Sequence, residues 1–199
     1  SDPGCTVNIT GGEVIATGGD YSAGIGGGCN FFYPDGSTVF GGTVTISGGR
    51  ITATGSRCAA GIGGGAGASN PGGEGAILSV SGGTVFAIGG EDGGPGIGGG
   101  VNDADAGGTT PNASGTSTFT GGTIRIDGGY AANDPTNGTN RVWCVSVPEL
   151  TPNAAIEVTS LGTYGVNDLF ADNDGKLYLW LPNNNYNFTA EAANYEATV

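Results

Sequence analysis

One glycine-framed phrase recurs along the chain, and that recurrence constrains the fold more than any other feature. "GGEVIATGGDYSAGIGGG" begins at Gly11, "GGRITATGSRCAAGIGGG" at Gly48 and "GGTVFAIGGEDGGPGIGGG" at Gly82. A fourth copy, "GGTIRIDGGYAA", begins at Gly121 and then diverges, so the copies start 37, 34 and 39 residues apart. A short alternating segment precedes each copy: TVNIT, TVTIS, ILSVS and STFT. A repeat of this length is one supersecondary unit that buries its apolar face only by stacking on its neighbours.

Aligning the copies produces apolar columns. Val7, Val44 and Leu78 share a position, and Ile9, Ile46, Val80 and Phe119 share the one two residues on. After each Gly-Gly come Val14, Ile51, Val85 and Ile124, then Ala16, Ala53, Ala87 and Ile126. The last segment supplies Ala23, Ala60 and Pro95, then Ile25, Ile62 and Ile97. Members of each segment lie two residues apart, the period of a strand with one buried face. The pattern predicts an all-β fold, a right-handed parallel β-helix (solenoid) of about four rungs with three short strands per coil. A small antiparallel β segment follows it at the carboxyl terminus. The expected boundaries are 1–147 for the glycine-rich β-helix and 148–199 for an antiparallel cap or partial β-sandwich module.

In this scheme the isoleucine of each "GIGGG" points inward and its glycines form bends that a Cβ would obstruct. A phosphate-cradling loop is excluded, since no helix follows and no GK[ST] is present. The rest of each repeat forms a loop after "GIGGG". Glycine supplies 44 of 199 residues, against a usual share of about 7%, yet without the strict every-third spacing of collagen.

Charge and composition remove several function classes. Five basic residues face eighteen acidic ones, a net charge of −13. Such a surface repels nucleic acid and anionic membranes. Nor is there an apolar run long enough to insert in a bilayer. The opening "SDPGC" reads as a trimmed start, so the lack of a leader there says nothing about export. The chain has no histidine, which excludes a Ser-His-Asp or Cys-His site within it. Cys5, Cys29, Cys58 and Cys144 form no CxxC. Their even number in an acidic Asn/Thr/Gly-rich chain points to a secreted protein with one of three pairings, against the alternative of small buried hydrophobes.

After Val147 glycine thins out. "GKLYLWLPNNNYNFTAEAANYEATV" alternates strongly and predicts a hairpin and a following strand, with "DNDG" at 172–175 as the preceding turn. Leu177, Leu179 and Leu181 fall on one face, Tyr178 and Trp180 on the other. This stretch resembles the closing strands of prealbumin-like β-sandwich modules of bacterial surface proteins. It is either such a sandwich or a cap over the open solenoid end.

The phrase GG.V.A.GG…AGIGGG resembles the glycine-rich repeats of large cell-surface and secreted proteins of gut bacteria, mainly Firmicutes. The region is also similar to β-helical carbohydrate-binding domains that take acidic plant polysaccharides. The resemblance implies an extracellular, non-catalytic module of a larger modular surface protein, acting in adhesion or contact with glycan or host matrix. No binding residue transfers with it, because the matching positions are structural.

Candidate site residues therefore come from the loops. Phe31, Phe32 and Tyr33 are consecutive aromatics that either stack on sugar rings or, the weightier reading, lie as a lid over the apolar helix end. Glu91, Asp92, Asp103 and Asp105 flank the third "GIGGG". Read as solvated loop acids they do nothing. As paired carboxylates they are what a β-helical polysaccharide hydrolase or lyase would use. As hard oxygen ligands they are the calcium candidates, with "DNDG" a weaker one, and no other cofactor is indicated. Outward threonines (Thr43, Thr45, Thr52, Thr54) alternate with Asn8, Ile15, Phe86 and Arg125 elsewhere, which argues against a regular surface-binding array. Phe86 and Ile88 are expected instead to mark contact with the carboxyl-terminal part.

Overall fold

The computed structural model describes residues 4–29, 38–67, 71–102, 111–112 and 114–199. Four long strands, β1 (Thr6–Thr17), β3 (Thr43–Thr54), β5 (Ile77–Ile88) and β7 (Thr116–Asp127), alternate with two-residue strands β2 (Ile25–Gly26), β4 (Ile62–Gly63), β6 (Ile97–Gly98) and β8 (Tyr130–Ala131). The long strands pair in parallel in the order β1-β3-β5-β7, and the short ones in the order β2-β4-β6-β8. The register matches the sequence columns: Ile9↔Ile46, Val14↔Ile51 and Ile25↔Ile62 all face across adjacent rungs.

The expected three short strands per coil become two. The segments flanking each Gly-Gly run on as one strand bent at the glycines, with register shifts at Thr10 of β1 and Ser81 of β5. The bend has a backbone cause. The second glycine takes φ of +81° at Gly12, +93° at Gly49, +89° at Gly83 and +86° at Gly122, a region costly to residues with a Cβ. The "GIGGG" glycines serve a different need, close approach: a Cβ on Gly63 would collide with the Gly98 carbonyl oxygen of the next rung.

The inward columns form one core. Val44, Ile46, Ile51, Ala53, Ile62, Val80, Val85, Ala87, Phe119 and Ile124 are wholly inaccessible. Burial of one of these valine, isoleucine or phenylalanine side chains contributes about 1.5–3 kcal/mol relative to exposure. Ile9 and Ile25 of the first rung keep 8% exposure, because among the described residues β1 pairs with β3 on one side only.

Antiparallel pairing begins before residue 148. β9 (Thr136–Asn137) and β10 (Asn140–Val147) pair with each other, and β10 also pairs with β12 (Leu177–Pro182). β11 (Val158–Thr159), β13 (Asn185–Ala190) and β14 (Ala193–Thr198) form a separate antiparallel sheet. The hairpin is therefore β13–β14, while β12 turns away at Pro182 into another sheet. Leu177, Leu179 and Leu181 meet Phe188, Ala190, Val158 and Ile156 in a second core. The opposite face of β12 packs on the last rung, with Trp180 edge-on to Phe119 at 5.4 Å between centroids. Trp180 Nε1 donates to the Ile124 carbonyl (2.9 Å) and Tyr164 Oη to that of Gly122 (2.8 Å). The carboxyl-terminal part thus has a two-sheet core of its own and also covers the final rung.

Residues 164–170 form a strap that runs across the glycine bends. Gly122 N donates to Gly165 O (2.8 Å), Gly83 N to Asn167 O (2.9 Å) and Gly49 N to Asp168 Oδ2 (2.9 Å). Thr84 Oγ1 donates to Asp168 O and accepts from Phe170 N. Each bend so covered places its second glycine N–H on an oxygen of the strap.

Candidate functional site

The structure distributes the sequence-stated candidates unevenly. Phe31, Phe32 and Tyr33 lie outside the described residues, as do Asp103 and Asp105. Glu91 and Asp92 are exposed in a turn where Asp92 takes φ +59°, as Tyr21 and Cys58 do at +60° in the preceding rungs. The Asp92 carboxylate accepts from Arg57 Nε at 2.8 Å, and Arg57 in turn donates to Tyr21 Oη. Arg57 thus links the turns of three successive rungs. Among the described residues no three His, Cys, Asp or Glu side chains come together as a metal-binding group.

"DNDG" acts as a structural anchor. Asp172 is 1% exposed. Its Oδ1 accepts from Asp174 N (3.0 Å) and Lys176 N (2.9 Å), and its Oδ2 from Tyr178 Oη (2.9 Å) and Arg125 Nη1 (3.1 Å). Burial alone would raise its pKa, but these donors together with the Arg125 charge hold it below the ordinary value. Both oxygens are occupied by protein donors, so the turn joins the last rung to the second core.

The bend also divides the outward positions into two faces, which corrects the reading of them as one irregular set. Before the bend the columns run Thr6–Thr43–Ile77–Thr116 and Asn8–Thr45–Ser79–Thr118, largely hydroxyls in register. Beyond it they run Glu13–Arg50–Thr84–Thr123 and Ile15–Thr52–Phe86–Arg125, the side that the strap and β12 engage. Phe86 does approach the carboxyl-terminal part, through Arg50, whose guanidinium lies 5.8 Å from the Phe86 and Phe170 centroids alike. Arg50 also donates to Asn153 Oδ1.

An aromatic cleft that sequence reasoning missed opens at the end of the second core. It has a volume of about 450 Å³ and is lined by Asn140, Arg141, Trp143, Asn183, Asn184 and Tyr186, with Thr139 and Pro182 at its edges. β10 places Trp143 opposite Leu181, the last residue of the leucine face, and the indole keeps 41% exposure. The Arg141 guanidinium lies 5.4 Å from the indole centroid and pairs with Asp134 at 3.0 Å. Tyr186 Oη donates to Pro182 O, fixing its ring against the β12–β13 turn, and burial raises its pKa. Chemically this is a largely polar cleft of carboxamides and a cation with one indole in its wall. The sequence signal was present, in Trp143 at an odd position of an alternating strand and in "NNN" at 183–185. Only the antiparallel pairing of β10 with β12 brings the two together.

With this geometry in hand, the comparisons are consistent with the fold. A family model described as Beta helix repeat matches residues 7–29, 44–66 and 78–101, the first three rungs from inward Val7, Val44 and Leu78 onward. These stretches form a parallel β-helix repeat region. Comparison with curated proteins and with solved structures gives no significant match.

Proposed function

We propose that this chain is a non-catalytic, extracellular carbohydrate-binding module of the bacterial cell surface. In this reading a right-handed, glycine-rich β-helix of the Firmicutes type carries a sandwich-like carboxyl-terminal part to which β10 (Asn140–Val147) also contributes, and the whole belongs to a larger modular protein. The observation that carries the reading is the Trp143 cleft. An exposed indole offers the C–H face of a pyranose a stacking partner, and Asn183, Asn184 and Arg141 supply donors and acceptors for its hydroxyls. The strong negative charge of the chain disfavours acidic polysaccharides at long range, so a neutral glycan is the favoured ligand, although the resembling β-helical modules take acidic ones. Contact with host matrix follows the same route, through its glycans.

The test is a titration of neutral and acidic oligosaccharides against the wild-type chain and Trp143→Ala, read by calorimetry. Binding of a neutral glycan, weakened at least about tenfold by loss of the aromatic anchor, supports the assignment. Equal binding by the variant removes the cleft from it. The alternative reading, a polysaccharide hydrolase or lyase using Glu91, Asp92, Asp103 and Asp105, is less well supported because Arg57 holds the Asp92 carboxylate. Activity on pectin that disappears in Asp92→Asn would favour it, and a calcium-dependent rise in melting temperature would favour a metal role for the same acids.

A further inference from the structure

Among the described residues the strap covers the second, third and fourth glycine bends, and nothing covers the first. At the second, third and fourth rungs a Cβ built on the leading glycine would strike strap atoms: Asp168 Oδ2 beside Gly48, Asn167 beside Gly82 and Gly165 beside Gly121. At the first rung a Cβ on either Gly11 or Gly12 meets nothing within 4 Å. In place of the strap there is a cleft of about 380 Å³ lined by Gly12, Glu13, Gly49, Arg50, Asp168 and Phe170.

The covered bends show what such a bend accepts. Each gives the N–H of its second glycine to an oxygen of the strap, a backbone carbonyl at the third and fourth rungs and the Asp168 carboxylate at the second, and the third rung adds the outward residue just after the glycines. There Thr84 Oγ1 takes Phe170 N and donates to Asp168 O, so Gly83 and Thr84 together grip the strap backbone between Asn167 and Phe170. Gly12 has the same left-handed φ as its counterparts, and the repeat equivalence aims its N–H into the open cleft. Glu13 stands where Thr84 stands on the third rung. Its carboxylate accepts backbone N–H groups more strongly than a hydroxyl does. Two residues on, Ile15 offers an apolar side chain that is 74% exposed.

We infer that the first-rung bend is a docking site for an extended peptide strand of another protein, carrying a lysine or arginine beside Glu13. The carbonyl of that strand meets Gly12 N–H, its amides meet Glu13, and an aliphatic side chain covers Ile15. The basic residue follows from charge. The cleft sets two carboxylates, Glu13 and Asp168, against one guanidinium, Arg50, so the charge it lacks is a positive one. The site extends an interface that the chain already makes with its own strap.

The experiment is an amide NMR titration of the full chain with two acetylated and amidated peptides. One carries the strap sequence TYGVNDLF; the other, TYGVNKLF, carries lysine where the strap has Asp168. The lysine peptide is expected to bind more tightly and to shift amides at Gly12, Glu13, Ile15 and Gly49. Glu13→Ala, at an exposed position, should weaken it at least about tenfold, and about 0.5 M salt should weaken it as well. Absence of shifts at the bend with either peptide overturns the proposal, as does undiminished binding by Glu13→Ala. An oligosaccharide that shifts these amides while the peptides do not overturns it in favour of a second sugar site. Trp143→Ala should leave the peptide titration unchanged, so this result and the glycan result stand or fall separately.

Discussion

Replacing Asp172 with alanine removes the acceptor at the centre of the joint between the last rung and the second core. Four donors converge on its carboxylate: two backbone N–H groups of its own turn, the Tyr178 hydroxyl and the Arg125 guanidinium. The Asp172 side chain is fully inaccessible, whereas that of Arg125 keeps 30% exposure and has Asp127 as a second partner at 3.2 Å. Breaking a buried pair by removing one member costs about 3–5 kcal/mol when the other is left dry. Here the guanidinium regains water and Asp127, so most of the loss falls on the turn amides and Tyr178, and about 3 kcal/mol is expected. Asn at the same place retains an acceptor for the two amides and should cost about 1–2 kcal/mol. The pH dependence is the sharper part. The folded-state pKa lies below the ordinary 3.8, so the unfolded chain binds the proton first. The stabilisation is complete above that ordinary value and is lost as pH falls through the lower folded one. Urea denaturation of wild type, Asp172→Ala and Asp172→Asn at pH 7 and in steps below pH 4 should show the gap closing on acidification. A gap under about 1 kcal/mol at pH 7, or one that stays constant into acid, would refute the reasoning.

Other substitutions test other parts of the fold. Gly63→Ala forces a Cβ onto the Gly98 carbonyl at φ +139° and should cost about 3 kcal/mol or more. Gly11→Ala faces open space and should fall within about 0.5 kcal/mol of wild type, both read from denaturant midpoints. Tyr164→Phe strands the Gly122 carbonyl and Trp180 N–H, a loss of about 1–3 kcal/mol by the same measurement. Burial, with the hydrogen bond to Asp172 and its charge, pushes the Tyr178 hydroxyl up to about 12. Its contribution is complete below the ordinary tyrosine value of 10.0 and is lost as pH rises through the folded one. Difference absorbance of wild type against Tyr178→Phe should therefore show that phenol ionising well after an exposed tyrosine.

The repeat alone determined the rungs. Identical apolar residues at a two-residue period have one way to bury themselves, which is to stack, so Ile25, Ile62 and Ile97 could be aligned with no knowledge of coordinates. The two faces of β12 were equally legible, because alternation in a single strand is a local property. What lay beyond the sequence were relations between distant segments. Whether Gly-Gly ends a strand or bends it depends on the ladder on either side. That bend separates the hydroxyl columns from the columns the strap covers, and a linear list of outward residues merged them. The strap crosses rungs that are far apart along the chain, and its residues 164–170 carry no repeat to announce where they dock. Asp172 read as part of a turn and a weaker calcium candidate because Arg125 and Tyr178 reach it only after the second core has packed on the last rung. Trp143 likewise became a cleft wall through β12 and the turn beyond Pro182. Periodicity encodes burial, a local and additive preference. Pairing of non-repeating segments is chosen by which contacts remain unsatisfied once the repeats have stacked, and that is settled in three dimensions.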